Sequence, residues 1–151
     1  MKTIHNTQEF LAVIGPDGLV TEPVELAARR WLPRLWGLRS LDGVALAKGC
    51  WLYDLTGVTS LDGVALAPGC GLTGLSSLTS LAGVTMAERC GLYNYLPWGI
   101  RFYADRLCIG CEKFLPGVTD EYIRDVIARH EAAEHTDRIF EAVNLWRGWI
   151  A

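Results

Sequence analysis

The sequence predicts an α+β fold: a short β-solenoid of parallel strands, about four coils of twenty residues, closed by a β-hairpin and two C-terminal helices. Three observations predict it. LDGVALAKGC at 41–50 returns as LDGVALAPGC at 61–70, with nine of ten positions identical. Rows of twenty align without gaps from 21 to 100. Beyond Pro116-Gly117 the apolar spacing changes to that of helices. The boundaries that follow are an N-terminal cap over 1–20, a repeat solenoid over 21–100, and a hairpin and helical cap over 101–151, in one compact domain. A length of 151 residues suits one domain with a real core.

The rows are 21–40, 41–60, 61–80 and 81–100. Val24, Val44, Val64 and Val84 share a column, and Leu26, Leu46, Leu66 and Met86 share another. Ala27, Ala47, Ala67 and Ala87 follow at a tight corner. Leu32, Leu52, Leu72 and Leu92 align further along, then Leu35, Leu55, Leu75 and Tyr95. A column that stays apolar while its neighbours drift is a buried position repeated in space, because each row can bury its apolar residues only against the next. The V-x-L pair has period 2, so both side chains leave a short strand on one face. Gly, Ser, Thr and Pro then carry the chain to the next coil.

A stack of coils exposes apolar ends and needs caps. Residues 1–20 match the columns weakly and are expected to lay a short helix or strand over the first coil. IRFYADRLCIG (100–110) has apolar residues on both sides of Ala104-Asp105, the pattern of a hairpin. Thr119 or Asp120 can cap a helix whose first turn carries Asp120 and Glu121. Its inward stripe is Tyr122, Ile123, Val126, Ile127 and His130. A second helix begins near Thr136-Asp137, with Ile139, Phe140, Val143 and Trp146 inward.

Here the residues carry a resemblance. L-x-x-V-x-L, then a cysteine, then L-x-x-L is similar to a short leucine-rich repeat in its cysteine-bearing form. The match covers roughly 21–100, with one extra residue between the strand leucine and the cysteine. The whole chain resembles small bacterial and phage-encoded proteins. These have tandem leucine-rich coils, a segment like Ile109-Gly110-Cys111, and a charged helical tail with tryptophans, here Thr119 to Trp149. The resemblance implies a phage or prophage accessory protein that binds and inhibits host machinery, of the anti-CRISPR or another counter-defence type.

Charge and composition narrow the function classes. A formal charge of −3 argues against a duplex-DNA partner, so nucleic acid is not the expected ligand. FLAVIG near the N-terminus is too short and wrongly framed for a signal peptide. The longest uncharged stretch, Gly63 to Ala87, is nearly half Gly, Ser, Thr and Pro, which suits strands and turns and no membrane helix. Five cysteines without an export signal are expected as free thiols in the cytoplasm.

Four constellations carry chemistry. Cys50, Cys70 and Cys90 form a ladder with Arg30 in the first row, and no histidine lies between His5 and His130 to activate them. They are expected to be buried thiols. Cys108-x2-Cys111 with His130-x4-His135 has the ligand types of a zinc site, although the intervening spacing is longer than in a finger. A small zinc-binding regulatory or nucleic-acid-associated protein is thus the alternative, against simple packing of these residues in the cap. Arg29, Arg30, Arg34 and Arg39 cluster with no acid between Glu25 and Asp42, while 120–141 holds seven acids and three arginines. Either these are solvated faces or they are complementary binding patches. Trp31 and Trp51 share a column that becomes Gly71 and Gly91. With Tyr53 and Tyr93 they form a candidate aromatic strip, or else pack under the caps.

No nucleotide loop, nucleophile elbow or paired-carboxylate site can be traced. A non-catalytic protein-interaction module is the expected function. Its candidate partner-binding residues are Trp31, Arg34, Trp51, Tyr53, Tyr93, Arg29 and Arg30, and no cofactor is expected. The partner class is a host or phage protein, and an open solenoid edge makes a homodimer an added expectation.

Overall fold

A computed structural model describes all 151 residues. The chain is α+β, with a three-stranded parallel sheet, a mixed seven-stranded sheet and C-terminal helices. The twenty-residue spacing of the sequence is the register of the parallel pairs between rows in both sheets. Val24 of β2 (Val24–Leu26) pairs in parallel with Val44 of β4 (Val44–Ala45). Trp31 of β3 (Trp31–Leu32) pairs with Trp51 of β5 (Trp51–Leu52), and Trp51 with Gly71 of β6 (Gly71–Leu72). Gly71 then pairs with Gly91 of β7 (Cys90–Leu92).

Two points correct the strand expectation. V-x-L makes regular strands only in the first two rows, and the third and fourth meet at a single Ala65–Thr85 bridge. The longer ladder is the one through Leu32, Leu52, Leu72 and Leu92. Its two-residue strands are too short to print a period of 2 on the sequence.

Those strands are short because each is pinned by left-handed residues. Arg34, Asp54, Gly74 and Asn94 share a column, with φ of 66°, 66°, 86° and 72°. Asp and Asn tolerate this region better than most residues, and here they gain a second role. The Asp54 carboxylate accepts the Arg34 amide at 2.9 Å, and the Asn94 side-chain oxygen accepts the Gly74 amide at 2.9 Å. Serines turn the other corner: Ser40, Ser60 and Ser80 accept the amide two residues on, at 3.0, 3.1 and 3.0 Å.

The core runs through the stack as continuous columns. Leu35, Leu55 and Leu75 are fully buried, as are Leu38, Val58 and Leu78. Burying each such side chain is worth about 1.5–3 kcal/mol. Cys50, Cys70 and Cys90 are buried too, and each thiol donates to the corner alanine of the row before. The acceptors are the Ala27, Ala47 and Ala67 carbonyls, at 3.1, 3.2 and 3.1 Å. Cysteine suits the column because it is small and apolar yet can donate weakly to the corner carbonyl of the row before.

The N-terminal residues form both a strand and a helix. β1 (Lys2–Ile4) pairs in parallel with β2. In α1 (Thr7–Leu11) the Asn6 side chain caps the Glu9 amide, and the Glu9 carboxylate accepts the His5 amide at 2.7 Å. That reciprocal pair lowers the Glu9 carboxyl below its ordinary value, chiefly through the His5 amide. Phe10 is fully buried over the first row.

At the other end the expected hairpin is a three-stranded meander. β8 (Ile100–Tyr103), β9 (Arg106–Ile109) and β10 (Glu112–Phe114) continue the seven-stranded sheet antiparallel to β7. α2 (Asp120–Arg129) begins at Thr119, whose hydroxyl accepts the Tyr122 amide at 3.1 Å. It buries Ile123, Val126 and Ile127, whereas Tyr122 and His130 of the expected stripe are exposed. α3 (Thr136–Ile150) buries Ile139, Ala142, Val143 and Trp146, and Phe140 is only half-buried beneath the Arg124 guanidinium. The Trp146 indole N–H reaches the Tyr103 carbonyl at 2.8 Å, which fixes α3 to the meander. No helix is long and apolar enough to cross a membrane.

Candidate binding face

Side chains alternate across a sheet, so registered partners share one face. Leu32, Leu52, Leu72, Leu92 and Ile100 point into the core. The opposite row is therefore Trp31, Trp51, Gly71, Gly91, Arg101, Cys108 and Lys113, one residue from each of the seven strands. One end of the row is aromatic, the middle is glycine, and the far end carries two cations.

The glycines are the floor beneath the rings. A methyl group at Gly71 would overlap the Trp51 indole, and one at Gly91 would lie 2.8 Å from the Tyr93 ring. Trp51 thus lies over the next strand's backbone at Gly71, and Tyr93 over Gly91 of its own row, which explains why the tryptophan column changes to glycine. Four rings close on one another. The Trp51 centroid is 6.1 Å from Trp31, 6.3 Å from Tyr53 and 5.7 Å from Tyr93, and Trp31 is 6.0 Å from Tyr53. Trp31 remains 67% exposed, while the other three are half-buried. The aromatic strip is therefore outside the caps.

One arginine stands over this cluster. The Arg101 guanidinium carbon lies 5.8 Å from the Trp51 ring centroid, within cation–π range. Its Nε is buried without a hydrogen-bond partner. Arg29, Arg30 and Arg34 are exposed within three residues of Trp31. None of these four arginines makes an ion pair. The sequence reading missed Arg101; alternation in IRFY was the signal that could have found it.

The four zinc-type residues do not converge, which corrects that alternative. No group of three or more His, Cys, Asp or Glu side chains stands close enough to hold a metal ion. Cys108 belongs to the outer row, between Arg101 and Lys113. Cys111 occupies the β9–β10 turn and is exposed. His130 Nε2 is 2.6 Å from Glu112 Oε1, and His135 packs edge-on against Trp98 with centroids 5.5 Å apart. Cys111, Glu112 and His130 line a cavity of about 60 Å³ whose other walls include Trp98, Phe114 and Ile139.

The buried thiols divide: the Cys70 hydrogen bond lowers Cys50 below its ordinary value despite burial, while the other two are held as neutral thiols. Burial pushes Cys90 above its ordinary value, and the neighbouring Cys50 thiol, as hydrogen-bond partner, together with burial pushes Cys70 up. Both favour the neutral thiol, which is the poor nucleophile. No family model, curated protein or solved structure matches the chain.

Proposed function

We propose that the chain is a non-catalytic protein-interaction module built on a short leucine-rich-repeat-like solenoid. The parallel register at a spacing of twenty and the continuous Leu and Cys columns support the solenoid. One observation carries the function: Trp31, Trp51, Tyr53 and Tyr93 form a contiguous aromatic cluster on the outer face of the seven-stranded sheet, with the unpaired Arg101 over Trp51. Trp, Tyr and Arg are the residue types that dominate binding hot spots, and clustered rings lose little entropy on docking. A partner from the host or a phage, and inhibition of host machinery in the cytoplasm, follow from the resemblance of the repeats and tail.

Affinity capture with the tagged protein, compared with Trp31→Ala/Trp51→Ala, tests the module. The double variant is expected to lose the captured partner while keeping its far-ultraviolet circular dichroism. Capture unaltered by removal of both rings sinks the assignment of this face.

A further inference from the structure

Resting on that docking face, we infer the chemistry of what docks: a short, extended polypeptide segment rich in Asp and Glu that crosses the seven-stranded sheet from β3 toward β10. The outer row spans seven strands. At about 4.8 Å per strand it is roughly 29 Å long, which matches about eight or nine extended residues. No carboxylate belongs to that row. Arg101 and Lys113 stand in its second half without ion-pair partners, and the exposed, unpaired Arg29, Arg30 and Arg34 lie within three residues of Trp31 in the chain.

The buried, unpartnered Nε of Arg101 sharpens the point. That atom is itself out of reach of a docking segment, but it leaves a partly desolvated guanidinium uncompensated, and such a cation favours a carboxylate at its remaining nitrogens. Apolar side chains of the same segment would settle on the ring cluster at the other end. A polynucleotide fits less well. Its bases need open ring faces in succession, whereas these rings pack on each other with centroids 5.7–6.3 Å apart.

The test is fluorescence anisotropy with a labelled eight-residue Glu/Asp-rich peptide carrying one Phe. A Lys-rich peptide of equal length and an eight-nucleotide oligo-dT are run beside it. The acidic peptide is expected to bind the intact protein and to weaken about tenfold between low and moderate salt, as screening demands. Arg101→Gln and Arg30→Glu/Arg34→Glu should each weaken it about tenfold, the loss of a charge-assisted contact, with circular dichroism unchanged. The inference is overturned if the acidic peptide fails to bind, if the Lys-rich peptide binds equally, or if oligo-dT binds more tightly. Should partner capture still depend on Trp31 and Trp51 while the acidic peptide fails, the docking face stands and only its acidic ligand class falls.

Discussion

Glu141 of α3 accepts the Tyr95 hydroxyl at 2.7 Å, and the same carboxylate oxygen also takes the Leu81 amide. Those two donors belong to the last row of the stack, so one side chain ties the helical cap to the repeats. Arg138, one turn earlier, donates to the Tyr95 carbonyl at 2.8 Å and lies over its ring at 4.6 Å. Glu141→Ala leaves the Leu81 amide and the buried Tyr95 hydroxyl without their acceptor. A loss of about 1–3 kcal/mol is expected, measured by urea unfolding. Glu141→Gln keeps an acceptor oxygen and should lose less.

The same contact sets an alkaline limit. Burial, reinforced by the Glu141 carboxylate, pushes the Tyr95 phenol above its ordinary value. A group raised in the folded state contributes stability that is complete below its unfolded pKa and is lost as pH climbs past it. For tyrosine that window opens near pH 10. The thermal unfolding midpoint, followed from pH 8 to 11.5, is expected to fall from about pH 8.5 as the raised Cys70 and Cys90 thiols titrate in the unfolded chain, and to steepen above about pH 10 by less in Tyr95→Phe. An identical slope in the variant overturns the assignment.

Gly71→Ala places a methyl group where the Trp51 ring lies. The ring must swing outward, breaking its packing on Tyr53 and Tyr93. Expected results are a red-shifted tryptophan emission, a loss of about 1–3 kcal/mol from overpacking, and weaker partner capture. Gly71 has no left-handed φ, so its effect is steric; Gly63→Ala, with φ +77° and no atom near the added carbon, is the control for destabilisation without contact to a ring. It should lose stability but leave the emission unchanged.

Thiol labelling separates the cysteines by position. Cys111 is exposed at its turn, whereas Cys50, Cys70 and Cys90 are buried and bonded to carbonyls. With an aromatic disulfide reagent at pH 8, Cys111 should react within the mixing phase. The three buried thiols should react only at the rate of unfolding. Rapid labelling of Cys70 in the folded protein would contradict the column as described.

The sequence by itself determined the spacing of the stack. Val24, Leu32, Leu35 and Cys50 recur at twenty because each must meet its own kind in the next row, and burial forces that repetition into the chain. The start of α2 was legible to within one residue, Thr119 or Asp120, since capping is a local matter of one side chain and one amide, and the structure puts the cap at Thr119. The second ladder was not legible: two-residue strands between left-handed residues are too short for a period. Nor could spacing reveal that Cys108 and Cys111 part company, because alternation along β9 sends Cys108 to the outer face and Cys111 to the turn. Only the tertiary structure decided what the outer face is. Trp51 lies over Gly71, Tyr93 over Gly91, and Arg101 arrives from the meander to stand over Trp51. Residues so far apart in the chain share a surface only once the strands between them pair, and that pairing is where the binding face comes into being.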